Sequence, residues 1–317
     1  MINLKIPVGI SDFEKIRKNQ YYFVDKSGLI EELLNTESNE VTLITRPRRF
    51  GKTLGMSMLA SFFDIRRDSS ELFRGLKISQ KEELCQKWMN QYPVLFVTFK
   101  DVDGLDFQSA KEMLRIQIAD RCNEYLCLIS SEKVNENDKA IFRQLADVVK
   151  GDVSDAMLKT GIALIMRMLQ DYYEKPVILL LDEYDVPLAK ASAHGYYAEM
   201  LEVMRAMIST ALKDNPSLRF AVVTGCLRIS RESIFTGTNN FVSDTIFDTR
   251  LNEYFGFLQD EVEQLLTAIG AKDKAGIVKE WYDGYHFGSY DVYCPWDVLN
   301  YGNRLQTTGS DVPVSFW

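Results

Sequence analysis

Five consecutive apolar residues, Val177-Ile178-Leu179-Leu180-Leu181, run without a polar interruption into Asp182-Glu183. A strand with one wet face alternates apolar and polar residues. One without alternation needs cover on both faces, the condition met by a parallel sheet flanked by helices. Val41-Thr42-Leu43-Ile44-Thr45, the stretch from Pro93 to Phe99 and the stretch from Leu218 to Thr224 are of the same kind. Helical spacing falls between them: over 105–130, from about Asp155 to Tyr173 with Ile162, Ile165, Met166 and Leu169 on one face, and over roughly 195–213. Strands alternating with helices specify an α/β fold with a mostly parallel sheet.

The chain has 317 residues, enough for two domains or for one large domain with an appendage. From about Phe255 the pattern changes to short helices and aromatic-rich turns. The expected division is therefore a sheet-bearing domain over 1–254 and a small, mainly helical one over 255–317. Near the start, Ser11 followed by Glu14 has the form of a capping box. The polar stretch Ser131 to Asp138 reads as a surface loop.

Composition narrows the function. Lys and Arg number 37 against 45 Asp and Glu, a formal net charge of −8, so the surface is not one that coats nucleic acid, and any such contact is local. No run of about 18 apolar residues spans a membrane, and Met1-Ile2-Asn3-Leu4-Lys5 lacks the layout of a secretion signal. Five scattered cysteines without a C-x-x-C pair fit free thiols in a reducing cytoplasm better than a disulfide framework or a zinc site. The two histidines, His194 and His286, exclude a His-rich metal centre and disfavour Ser-His-Asp and Cys-His hydrolases. Both are expected to be structural or solvated.

The strand ending at Thr45 runs into Arg46-Pro47-Arg48-Arg49-Phe50-Gly51-Lys52-Thr53, and an apolar helix with Leu54, Met58, Leu59 and Phe62 follows. Strand, Gly-Lys-Thr and helix in that order form the end of a P-loop, G-x-x-x-x-G-K-[ST]. Gly51 lets the backbone approach phosphates, and amides at the helix N-terminus point at them. Lys52 reaches the β- and γ-phosphates, and the Thr53 hydroxyl ligates Mg²⁺. Arg46 stands where the first glycine belongs; its Cβ restricts the positive φ that glycine allows, so a differently shaped loop is expected.

About 130 residues downstream, Asp182-Glu183 closes the most apolar strand as a Walker B pair does. Asp182 is the candidate Mg²⁺ holder, directly or through water. Glu183 is the candidate general base for the attacking water. Asp185, before Pro187, suits a turn. Thr224, ending the next strand, has two readings: a sensor hydroxyl facing water or the γ-phosphate, or an ordinary strand-terminal threonine. Arg228 and Arg231 are candidates for the arginine finger, against the default of surface salt bridges. Arg48 and Arg49, inside the loop, can meet phosphate, an acidic partner chain or nucleic acid.

Several stretches together resemble the bacterial AAA-ATPase-like family: Pro7-Val8-Gly9-Ile10-Ser11-Asp12-Phe13-Glu14, Tyr22-Phe23-Val24-Asp25-Lys26-Ser27, Arg46 to Thr53, Leu181-Asp182-Glu183-Tyr184-Asp185, Thr224 to Ser230, Ser233 to Asn240 and Trp281 to Gly288. The resemblance implies a P-loop NTPase core with a catalytic glutamate, ending in a lid or winged-helix-like region. It makes Arg46 part of the family's own loop wording and places the whole loop from Arg46 to Leu54 at the nucleotide. By analogy with related ATPases, Phe23, Val24 and Asp25 lie near the adenine. Family members often continue into a PD-(D/E)XK nuclease-like domain that this chain lacks, and Pro295 to Asn300 with the abrupt Phe316-Trp317 end fits a chain cut before it. Trp281, Tyr282, Tyr285 and Phe287 read either as a base-stacking platform or as the core of a small domain.

The expectation is an Mg²⁺-dependent ATPase used as a conformational switch for an attached or partner effector, slow without that partner. The alternative, favoured by the missing first glycine, is a nucleotide-binding or interaction module whose catalysis has decayed. A small-molecule kinase shares the loop, but no acceptor-binding signature accompanies it, and the acidic pair favours water as acceptor.

Overall fold

The computed structural model describes residues 4–35, 40–149, 153–226, 234–235 and 241–316. Its strands are β1 (Val41–Thr45), β2 (Val94–Thr98), β3 (Val177–Asp182), β4 (Leu218–Gly225), β5 (Phe241–Asp244), β6 (Asp283–Phe287) and β7 (Tyr290–Tyr293). Helices α1 (Phe13–Lys18), α2 (Gly28–Asn35), α3 (Lys52–Phe63), α4 (Ser70–Phe73) and α5 (Glu82–Trp88) lie in the first part of the chain. They are followed by α6 (Phe107–Glu124), α7 (Glu136–Ala146), α8 (Asp155–Tyr173), α9 (Val186–His194) and α10 (Tyr197–Leu212). Beyond β5 come α11 (Gln259–Ala268), α12 (Ala275–Tyr282) and α13 (Pro295–Thr308).

Five strands form one sheet in the order β2-β3-β4-β1-β5, every neighbouring pair parallel. The apolar run Val177 to Leu181 belongs to β3, the second strand in, and all six residues of β3 are buried. Its side chains alternate between two cores. Leu179 and Leu181 join β1, β2 and β4 residues beneath α6, α8 and α10, while Ile178 and Leu180 pack with α2 and α3 on the other face. Covering both faces removes the need for polar alternation. The fold is the expected α/β one.

The remaining residues build two smaller clusters. Ile6, with Leu4, Val8, Tyr22 and Val24 beside it, packs against Phe257, Leu265, Val298 and Tyr301, so the chain's first described residues lie on its last helices. The antiparallel hairpin β6–β7 supplies Phe287 and Val292 to a cluster centred on Phe50.

Several local expectations change. The first helix is capped by Asp12, whose Oδ1 accepts from the Lys15 amide at 3.0 Å, one residue beyond the Ser11 cap read from the sequence. The span 105–130 divides into α6 and a 3₁₀ turn at Leu126–Ser130. The supposed loop at 131–138 buries Val134 and Asp138: α7 begins at Glu136, capped by Asn135, whose side chain accepts from the Asn137 amide at 2.8 Å, and Arg167 binds Asp138 through two 2.7 Å contacts. Helix α9, strand β5 and the β6–β7 hairpin have no counterpart in the sequence reading. β5 is four residues long and survives as a strand through its pairing with β1.

Candidate functional site

Parallel strands present all their carboxyl ends on one edge of the sheet, where α/β folds assemble their sites. Register places Thr45 beside Gly225 and Leu181 beside Val223, so the tips of β1, β4 and β3 lie in a row. The turn leaving β1 enters α3 through Gly51, the N-cap, at φ +84° with nothing within 4 Å of a Cβ there. No side chain caps α3, so its first amides face outward unclaimed by any side-chain cap.

At the β3 end of this row Asp182 is fully buried, and a hydroxyl donates to each of its oxygens: Thr53 to Oδ2 at 2.8 Å and Thr224 to Oδ1 in a short contact. Thr53 opens α3, Asp182 ends β3 and Thr224 ends β4, so three separate segments converge on one carboxylate. Lys52 lies beside them, also buried. Its ammonium donates to the carbonyls of Arg46 at 2.9 Å and Pro47 at 2.8 Å, and it lies 3.4 Å from Cys226 Sγ.

Glu183 is half-buried and holds φ +56°, a left-handed conformation that a non-glycine residue adopts at a cost. Burial pushes its carboxyl above the ordinary glutamate value, and the charges of Asp182 and Asp185 push it the same way, against Lys52 and Arg48. Asp185 is more than a turn residue: its Oδ2 accepts from the Cys226 amide at 3.0 Å and ties the end of β3 to the end of β4. Gly225 permits that approach, since a Cβ there would meet the Tyr184 ring at 2.6 Å.

The rest of the loop turns away from this row. Arg46 is wholly buried. Its guanidinium donates to Asp244 Oδ1 at 2.5 Å, to Asn252 Oδ1 at 2.6 Å and to the carbonyls of Thr45 and Asp244, and it lies over the Phe255 and Phe287 rings. Positive φ in the loop falls on Arg49, at +69°, and on Gly51, and not on Arg46. This corrects the phosphate-side reading of the Arg46 side chain: it is a strut, and only its carbonyl faces Lys52. Phe50 is likewise buried, edge-on to Tyr285 at 4.7 Å, and its carbonyl accepts from Gly256. Arg49 stacks on Trp296 at 4.5 Å and donates to the Phe316 carbonyl at 3.2 Å. Arg48 is exposed.

Next to Gly51 and Leu54 lies a small apolar cavity, partly open to solvent. Phe23 and Val24 line it with Ile10, Tyr254, Phe257 and Leu299. Asp25 does not. Its carboxylate accepts from the amides of Ser27 at 2.9 Å and Lys77 at 2.7 Å, which turns it toward a neighbouring 3₁₀ turn. Arg228 and Arg231 lie outside the described residues. Of the aromatic group, Tyr282 and Phe287 are buried in the core, Tyr285 is half-buried against Phe50 and Trp281 is exposed. His286 is exposed beside Asp291, and His194 is exposed at the end of α9.

The family model described as "Predicted AAA-ATPase" matches residues 7–235, well over half of the chain and including every strand tip of the site. The chain belongs to the AAA-ATPase-like family. A curated relative, "Uncharacterized protein in vnfD 5'region" from Azotobacter chroococcum mcd 1, is 29% identical over 310 residues, which cover 94% of this chain and 52% of that protein. The AAA-ATPase-like chain thus spans about half the length of that relative. No solved structure matches it.

The donor set of this family member suits a small hard cation. One carboxylate and one hydroxyl, all oxygen, are donors of the kind Mg²⁺ takes where substrate phosphates also hold it. Among the described residues no group of three or more His, Cys, Asp or Glu side chains is placed to cage a metal unaided, and no described helix is long and apolar enough to cross a membrane. Sequence reasoning missed Asp244 and Asn252, the partners of Arg46, and Glu261, the partner of Lys26. The first two carried no signal, being single polar residues in unremarkable surroundings. Lys26 lies in the stretch from Tyr22 to Ser27, where a lysine among apolar residues is itself the signal of a partner.

Proposed function

We propose that this chain binds Mg²⁺-ATP at the tips of β1, β3 and β4 and hydrolyses the terminal phosphoanhydride. The convergence of Thr53 and Thr224 on Asp182 carries this reading, because it sets the opening of α3 against the acidic end of β3 with oxygen donors suited to Mg²⁺. In this scheme the outward amides of Gly51, Lys52 and Thr53 and the Lys52 ammonium receive the phosphates. Thr53 and Asp182 would hold the cation, which would supply positive charge to offset the charge that develops on the phosphates. Glu183 takes the proton of the attacking water. A carboxyl pushed upward by burial and like charge is suited to that task, since a base works best near the operating pH. Thr224 orients that water or the γ-phosphate. Arg228 or Arg231 supplies transition-state charge, with Arg48 as a further cation at the loop.

The base occupies the apolar cavity, with Phe23, Val24 and Leu54 on its walls. The contacts of Arg46, Arg49 and Phe50 with residues 244–316 support a switch, because they give the phosphate loop a direct mechanical link to that part of the chain. The effector moved by it is a protein or a further domain, a nuclease-like one by family resemblance. The scattered thiols favour the cytoplasm as its compartment.

Calorimetric titration with Mg²⁺-ATP, followed by a phosphate-release assay, tests the proposal. Binding with slow release is the expected result. Binding without release, even with candidate partners added, would favour a module that has lost catalysis. No binding at saturating nucleotide would end the nucleotide reading altogether.

A further inference from the structure

Lys26 joins two walls of the cavity beside the phosphate loop. It follows Tyr22, Phe23 and Val24 on one wall and lines the space itself. Its ammonium donates at 2.6 Å to both carboxylate oxygens of Glu261, in the first turn of α11, and at 2.6 Å to the Glu253 carbonyl. Glu261 Oε2 also accepts from the Leu258 amide at 2.8 Å. One ammonium therefore fixes both ends of the segment 253–258, and that segment carries the opposite wall through Tyr254, Gly256 and Phe257.

The lysine is pinned from its other side as well. Asp25 accepts from the Lys77 amide and Ser27 Oγ from the Ile78 amide, so the backbone flanking Lys26 is held to a 3₁₀ turn that plays no part in the cavity. Gly28 completes the contact, since a Cβ there would lie 2.9 Å from the Tyr254 ring.

Lys26 and Glu261 side chains are only 14% and 13% exposed. A pair that loses so much water is a weak source of stability compared with apolar side chains of the same volume, whereas its fixed geometry sets spacing and register well. Both charges are consumed by the pairing, and the rest of the cavity is apolar. A pair placed like this ties two largely apolar walls together, and a slot for a flat heteroaromatic ring requires walls held at a set separation.

We infer that Lys26 is a positioning residue for the nucleotide base: its pairing with Glu261 sets the gap between the Tyr22–Val24 wall and the Tyr254–Phe257 wall. The inference rests on the proposal that phosphates bind at Gly51 to Thr53 and the base enters the cavity. Lys26 then governs the part of the affinity that comes from the base and none of the part that comes from the phosphates.

Titration with two ligands separates those parts: Mg²⁺-ATP, and Mg²⁺-tripolyphosphate, which carries the phosphates without a base. The unmodified protein should bind ATP more tightly. Lys26→Met should weaken ATP by about tenfold or more, the scale of a misfitted apolar pocket, while tripolyphosphate stays within about twofold. A role in stability alone would move both ligands together. If circular dichroism shows that Lys26→Met does not fold, Glu261→Gln, which keeps the shape and removes the charge, is judged by the same ratio. A variant that folds and prefers ATP as strongly as the parent does overturns the positioning role. A parent protein that binds neither ligand, or both alike, instead overturns the reading of the site beneath it.

Discussion

Thr53 and Asp182 are 129 residues apart in the chain, and the hydroxyl of one donates to the carboxylate of the other at 2.8 Å. The contact reaches across the end of β4, which lies between β1 and β3 and adds Thr224 to the same carboxylate. It predicts a shared dependence on metal. Asp182→Asn and Thr53→Ala should each raise the Mg²⁺ concentration needed for half-maximal phosphate release, by about tenfold or more, the usual cost of disturbing a ligand or its orienting partner. Titrating Mg²⁺ at fixed ATP measures this, and an unchanged midpoint in both variants would remove the pair from the metal site.

Glu183→Gln should retain Mg²⁺-ATP binding and lose hydrolysis by about 10²- to 10⁴-fold, the range for a positioned base. Phosphate release at the parent rate would refute the assignment.

The same substitution carries a pH prediction. Burial and the neighbouring Asp182 and Asp185 charges raise the Glu183 carboxyl in the folded protein. The folded state then holds a proton that the unfolded chain has released, so stability falls as pH rises from the ordinary glutamate value through the raised one. Glutamine does not titrate. Glu183→Gln should therefore melt higher than the parent near neutral pH, and the gap should close below about pH 4, beneath the ordinary glutamate value. Thermal melts across pH check the sign, and a variant that melts lower near neutrality contradicts it.

Lys52→Ala should abolish detectable heat of Mg²⁺-ATP binding while leaving the far-ultraviolet circular dichroism unchanged. The ammonium bridges the Arg46 and Pro47 carbonyls, so its loss also leaves two acceptors short of a partner, at about 1–3 kcal/mol. Urea unfolding reads that cost separately. Binding at the parent affinity would show that the phosphates lie elsewhere.

How much of this could be read from residues alone follows from the range of each interaction. β1, β2, β3 and β4 were legible because a strand buried on both faces writes its condition into every residue of a short run. Gly51, Lys52 and Thr53 were legible because the turn, the helix start and the side chains needed for phosphate are contiguous. Pairings across the chain were not. Arg46 looked like a defect in a glycine position because Asp244, which neutralises it, and Asn252, which accepts a hydrogen bond from it, lie 198 and 206 residues away. β5 escaped notice because four residues carry too little pattern, and its strand character comes from β1. Asp25 was grouped with Phe23 and Val24 as one motif, yet its carboxylate is claimed by the amides of Ser27 and Lys77 while the other two line the cavity.

Arg46 offers the sharpest remaining test, because restoring the glycine of the general loop pattern should harm this protein. Glycine is useful where φ is positive, and here positive φ falls at Arg49 and Gly51, so Arg46→Gly relieves no strain. It removes a guanidinium that neutralises Asp244, fills the space beneath Phe255 and Phe287 and bonds two carbonyls. Taking one partner from a buried ion pair costs about 3–5 kcal/mol, because the other charge stays buried. Arg250, 3.7 Å from Asp244 Oδ2, remains as a second cation and should keep the loss near the lower end of that range. Asp244→Asn in the Arg46→Gly background should then recover part of the stability, since the orphaned charge is gone. Urea unfolding of the parent, both single variants and the double variant gives the coupling directly. Equal stability of parent and Arg46→Gly would mean that the buried guanidinium does not hold the loop, and that the chain tolerates either residue at the first loop position.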